Sequence, residues 1–172
     1  MKQVTINLYE FSELSEKAKK RAIEELSDLN IDHDWHQFTC EDAETIGLKI
    51  TGFDIYRKNI TGEFILSACE VAQNIFNNHG ETCETYKTAQ NFMDEWQPIY
   101  NNYMDEKHEN YESRESEEEM QKLEDDFLSS LLEDYFVMLE SDYEYRTSEE
   151  AIIESIESNE YTFEENGTMR NF

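Results

Sequence analysis

Residues 48–79, LKITGFDIYRKNITGEFILSACEVAQNIFNNH, decide the fold. Leu48 to Tyr56 and Ile60 to Leu66 are rich in β-branched and aromatic residues, and Arg57, Lys58 and Asn59 fall between them as a hairpin turn. Ser67 and Glu70 then form a capping box, the reciprocal pair that satisfies free N–H groups at a helix start. Behind it Ala68, Val71, Ala72, Ile75 and Phe76 make one apolar stripe, which ends at His79 and Gly80. A hairpin running straight into an amphipathic helix predicts an α+β protein.

Upstream, Val4, Ile6 and Leu8 alternate with polar neighbours and predict a first strand. Ser15 caps a helix carrying Ala18, Ala22, Leu26 and Leu29 on one side. Lys17, Lys19, Lys20 and Arg21 read as its polar face, pairing with Glu13, Glu16, Glu24 and Glu25, with contact to RNA as the alternative. A second helix, 33–46, is expected to turn Trp35, Phe38, Ala43 and Ile46 inward and to stop at Gly47. Downstream, Tyr86, Ala89, Phe92, Met93 and Trp96 predict a helix over 84–97 that Pro98 ends or bends. Phe127, Leu128, Leu131, Leu132, Tyr135, Phe136 and Leu139 mark a long helix, and the acidic stretch before it reads as its solvated N-terminal half. Thr147 and Glu150 suggest a second capping box. Tyr161 and Phe163 before Asn166 and Gly167 suggest a last strand and tight turn. The expectation is a single domain over 1–172: a sheet-and-helix part (1–97), a long acidic helical part (98–146), and a short helix with a C-terminal strand (147–172). A small, mainly antiparallel sheet would join the N-terminal strand, the hairpin and the C-terminal strand under a cover of helices.

Charge narrows the function classes. The 172 residues include 41 acids and 14 bases, a net charge of -27, which opposes binding to bare nucleic acid or an anionic membrane. Apolar residues at 38% and aromatics at 13% are too many for a disordered acidic chain. Residues 105–126 alone hold 11 acids and 3 bases. Were they one helix, they would span roughly 33 Å at about 1.5 Å per residue, a carboxylate about every 3 Å. One DNA strand presents a phosphate about every 3.4 Å. Glu112, Glu115, Glu117, Glu118, Glu119, Asp125 and Asp126 are therefore candidates to meet Lys and Arg of a basic partner, with Tyr103 and Tyr111 stacking on guanidinium groups. The competing reading is a plain solvated helix face.

Other chemistry is thinly represented. Cys40, Cys69 and Cys83 are an odd set without a repeated spacing, and no signal peptide precedes them, which predicts free thiols in a cytoplasm. His36 with Cys40 and His79 with Cys83 superficially resemble a zinc site, with His33 as a further ligand, but the spacings fit no finger or ribbon. Asp105 and His108 make half of a carboxylate-bridged metal motif with no second half. No phosphate-binding glycine loop or Gly-flanked serine nucleophile is present. The expectation is no cofactor, no metal and no catalysis, with a metal-binding module or enzyme as the remote alternative.

The segment FSELSEKAKKRAIEE at Phe11–Glu25, with its aromatic-x-E-L-S-x-x-A-K pattern, and GEFILSACEVAQNIFNNHGETCETYKTA at Gly62–Ala89 resemble small acidic proteins of phages and mobile elements. The similarity covers roughly the first ninety residues and contains no catalytic signature. It implies a phage or mobile-element origin and, since such proteins are often inhibitors of host defence, an anti-CRISPR role in the host cytoplasm. A basic nucleic-acid-binding protein, most concretely an RNA-guided CRISPR nuclease, is then the expected partner. A non-enzymatic adaptor or antitoxin-like protein that binds a basic partner is the alternative.

Overall fold

The computed structural model describes residues 6–108 and 114–170, with 105–108 and 114–115 as backbone only. In chain order its elements are β1 (Tyr9–Glu10), a 3-10 turn (Phe11–Glu13), α1 (Glu16–Glu25), α2 (Gln37–Ile46), β2 (Leu48–Asp54), β3 (Asn59–Phe64), α3 (Ala68–Asn78), α4 (Glu84–His108), α5 (Arg114–Arg146), α6 (Glu149–Ser158) and β4 (Thr162–Phe163). The α+β class and the long acidic helix in the C-terminal half are as expected. The chain divides into two compact units: unit 1 takes Met1–Trp35 and Ser141–Phe172, and unit 2 takes His36–Glu140.

The decisive stretch folds as read. β2 and β3 pair antiparallel, Leu48 opposite Phe64 and Asp54 opposite Asn59, with a bulge between Ile50 and Gly52. The Ser67 hydroxyl accepts from the Glu70 N–H while the Glu70 carboxylate accepts from the Ser67 N–H, closing the capping box at the start of α3. Gly47 ends α2 in the left-handed region, φ 95°, where a side chain would be strained.

Unit 2 packs α2, the hairpin, α3, α4 and α5 around Ile46, Leu48, Val71, Ala72, Ile75, Phe92, Phe127, Leu131 and Tyr135. Each large apolar side chain buried there contributes about 1.5–3 kcal/mol. Phe92 of α4 stacks on Phe127 of α5 with ring centroids 4.3 Å apart, and Phe64 of β3 lies 5.4 Å from Phe127. At Gly62 the hairpin comes so close to α5 that an added Cβ would sit 2.7 Å from the Leu132 methyl and 2.7 Å from the Lys49 carbonyl. Unit 1 buries Phe11, Leu14, Ala18, Ala22, Ile152, Ile156 and Phe163. Its β1 and β4 pair antiparallel, Tyr9 opposite Phe163.

Several expectations need correction. The strands form two separate two-stranded sheets rather than one, because β1 and β4, two residues each, pair with one another and not with the β2–β3 hairpin. The first strand lies at Tyr9–Glu10, one step beyond the alternating run, of which Val4 falls outside the described residues and Ile6 to Leu8 join no ladder. Helix α2 starts only at Gln37, which leaves Trp35 outside it, 5.7 Å from Tyr143 in unit 1. Phe38 is 80% exposed, because the buried side of α2 is set by Ala43 and Ile46 and Phe38 falls off that stripe. Pro98 does not end its helix: α4 runs ten residues past it, to His108. The reading of residues 105–126 as one helix falls partly on 109–113, which lie outside the described residues; α4 is described as far as His108 and α5 from Arg114. Finally, α6 is capped by Ser148, whose hydroxyl accepts from the Ala151 N–H, while Thr147 donates back to the Tyr143 carbonyl.

Candidate functional site

Helices α4 and α5 lie antiparallel in unit 2, as successive ties show: Thr88 Oγ1 donates to Asp134 Oδ2 at 2.7 Å, Phe92 stacks on Phe127, and Tyr103 donates to Glu117 Oε1 at 3.1 Å. The apolar face of α5, at Phe127, Leu131, Leu132 and Tyr135, is turned to the core. Its acidic N-terminal half is thereby held out to solvent on a rigid support.

Glu117, Glu118, Glu119, Asp125 and Asp126 are all exposed. Seven residues are close to two full helical turns, so Glu118 lies over Asp125 and Glu119 over Asp126, about 10.5 Å apart along the axis. Among the described side chains these exposed carboxylates thus form two adjacent stripes, each with a gap. Asp125 Oδ1 accepts from Gln121 Nε2 at 3.1 Å, and Glu117 accepts the hydrogen bond from Tyr103. Glu117 and Tyr103, both predicted contact residues, therefore hold each other. Glu124, on the same side as Glu117, is half-buried: burial first, then the Asp125 charge, push its carboxyl up, opposed by the nearby Trp96 indole. That indole N–H is itself buried without a partner in good hydrogen-bond geometry, so the help it gives Glu124 is partial. Lys122 lies in a groove of about 410 Å³ with Glu95, Ile99, Glu119, Leu123 and Asp126. Glu112 and Tyr111 lie outside the described residues, as do the side chains of Glu115, Asp105 and His108.

The residues considered for zinc do not come together as a site: among the described residues no three His, Cys, Asp or Glu side chains group as a metal ion requires. The His36 ring packs edge-on against Phe53 at 5.1 Å. Burial, then Glu44, push the Cys40 thiol up, and burial, then Glu124 and Glu70, do the same for Cys69, which disfavours a reactive thiolate at either. His79 belongs instead to a polar cluster that spacing did not suggest. Its Nδ1 lies 2.7 Å from Thr85 Oγ1 and its Nε2 lies 3.4 Å from Asp42 Oδ2, beyond good hydrogen-bond geometry. The buried Tyr135 hydroxyl donates to the same Asp42 oxygen at 2.8 Å. Burial above all, then the bond to Asp42, push the Tyr135 hydroxyl far up and keep it protonated. Thr85 is fully buried and Asp42 half exposed, and the cluster joins α2, α4 and α5 to the loop after α3.

Unit 1 carries a cleft of about 520 Å³ between the 3-10 turn and the end of α6, lined by Glu10, Phe11, Ser12, Glu157, Glu160 and Tyr161 among others. No helix among the described residues is long and apolar enough to cross a membrane. The chain matches no protein-family profile, no curated protein and no solved structure.

Proposed function

We propose that this chain is a non-enzymatic acidic ligand that occupies the nucleic-acid-binding channel of a basic protein, and that its target is a host defence effector, most concretely an RNA-guided CRISPR nuclease. One observation carries the reading: Glu118, Glu119, Asp125 and Asp126 stand exposed in two stripes on a helix whose other face is anchored in a core. Carboxylates in such an array repel one another, and a cationic channel relieves that repulsion as it would for phosphates. With -27 charges on the chain, the long-range field adds to the local contact by steering a basic partner.

The test is binding of the chain to a purified RNA-guided nuclease over a range of salt, with and without excess guide RNA. Affinity is expected to fall by a factor of ten or more from low to moderate salt, as for a phosphate-contacting interface, and to be lost when guide RNA fills the channel. Reversing Glu118, Glu119, Asp125 and Asp126 to Lys should abolish binding without changing the melting temperature by much. Affinity indifferent to salt and to guide RNA would refute the proposal. Salt-sensitive binding that survives saturation with guide RNA would favour an adaptor that docks beside the nucleic acid.

A further inference from the structure

Beyond the carboxylates, unit 2 exposes large apolar side chains at one end, and four ties locate them. The hairpin runs along α5, with Gly62 against Leu132 and Lys58 Nζ 3.0 Å from Glu140 Oε1, so the β2–β3 turn lies level with Glu140. Helix α2 runs the opposite way to β2, with the His36 ring against Phe53. Asp42 meets Tyr135, so Phe38, one turn earlier on α2, lies level with the next turn of α5. Phe38, Tyr56, Val137 and Met138 therefore share this end of the unit, and they are 80%, 83%, 55% and 37% exposed. Isolated exposed apolar residues are ordinary, but two largely exposed aromatic rings and two exposed aliphatic side chains at one end of a unit have the composition of an interface centre.

We infer that this end of unit 2 is the apolar anchor of the interface with a cationic protein partner, Phe38 and Tyr56 filling an apolar pocket rimmed by Lys and Arg. The inference rests on the reading above that the partner is basic. Charge complementarity selects that occupant. Unit 2 holds 24 acids against 7 bases, and the two cations at the turn are already matched, Arg57 by Asp54 at 3.7 Å and Lys58 by Glu140 at 3.0 Å. A second copy of the chain would bring its own -27 charges, and an anionic bilayer would be repelled in the same way. Carboxylates and apolar anchor then divide the work: the former set the association rate and its dependence on salt, the latter the dissociation rate.

The probes are two synthetic helical peptides of equal length and charge, one a Lys/Leu amphipath and the other with every Leu replaced by Ser. The chain is expected to release the Lys/Leu peptide at least tenfold more slowly than the Lys/Ser peptide. The variant Phe38→Ser, Tyr56→Ser should lose that difference, keep the salt dependence of association and melt as the parent does, since both rings are exposed. Amide shifts on adding the Lys/Leu peptide should centre on Phe38, Tyr56 and Val137. Equal release of both peptides, or a variant that still discriminates, overturns the anchor while leaving salt-dependent binding, and with it the acidic-ligand reading, intact. Binding of neither peptide sinks both. Protection of Phe38 and Tyr56 in the free chain during hydroxyl-radical footprinting, or a dimer that the variant abolishes, also overturns the anchor, because the rings would then be covered already.

Discussion

Asp42 shows how much a single carboxylate can be asked to do in this chain. Its side chain is about half exposed, yet one oxygen accepts from the buried Tyr135 hydroxyl and lies beside the His79 ring. Removing the acceptor and removing the donor are not equivalent. Asp42→Ala leaves a buried hydroxyl without its acceptor and should cost about 1–3 kcal/mol, whereas Tyr135→Phe deletes both the donor and its need and should cost roughly 0.5–1.5 kcal/mol. Urea denaturation of the two variants checks the order, and a Tyr135→Phe chain less stable than Asp42→Ala would contradict it. None of this was legible in the sequence: Asp42, His79 and Tyr135 are separated by dozens of residues, and one among 41 acids carries no signal until a fold brings it to its partner. His79 did stand out, but for its distance to Cys83, a neighbour along the chain that it does not use.

At the scale of elements, what could be read was what is written within four residues. Ser15, Ser67 with Glu70, and Gly47 each determine a helix boundary by bonds or backbone geometry that reach no further than one turn, and each works as its pattern implies. Where two such signals overlap, spacing alone fails. Thr147 with Glu150 and Ser148 with Ala151 are both acceptable caps, and the choice falls to Ser148 because Thr147 is engaged with the Tyr143 carbonyl at the end of α5. Ser148→Ala should therefore destabilise the chain by about 1 kcal/mol, as loss of a helix cap does. Thr147→Ala should cost less, and thermal melts of the pair separate the two assignments. The apolar periodicity of α5 was equally plain, since Phe127, Leu131, Leu132, Tyr135, Phe136 and Leu139 are all buried. Phe38 misled because aromatic character says nothing about which side of a helix it occupies.

Across the whole molecule, the charge that motivates the proposed function also shapes stability. Glu124 and Asp134 have carboxyls held above their usual range, mainly by burial, so the folded chain takes up protons there more readily than the unfolded chain. Their contribution to stability is full below the ordinary carboxylate range and is lost as pH rises through the raised values. Glu70 behaves oppositely, held low by its bonds to Ser67, and its contribution is lost only as the medium becomes more acidic still. The melting temperature should accordingly climb as pH is lowered from neutral, helped by the falling net charge, and then turn over. The double variant Glu124→Gln, Asp134→Asn should flatten the climb. A melting temperature that falls steadily from neutral pH would count against this account. Long-range connectivity was the part least accessible to sequence reading. Two-residue strands at Tyr9–Glu10 and Thr162–Phe163 give no periodic signal, and their pairing closes a loop around all of unit 2. That nesting imposes an order on synthesis. Everything unit 2 needs has left the ribosome once Glu140 is free, whereas Tyr9 must wait, with Phe11 and Leu14 uncovered, until translation delivers Phe163. The nascent chain is thus most vulnerable to chaperones and proteases at its oldest end, and a ribosome stalled between these points would display a finished insert on an unfinished host.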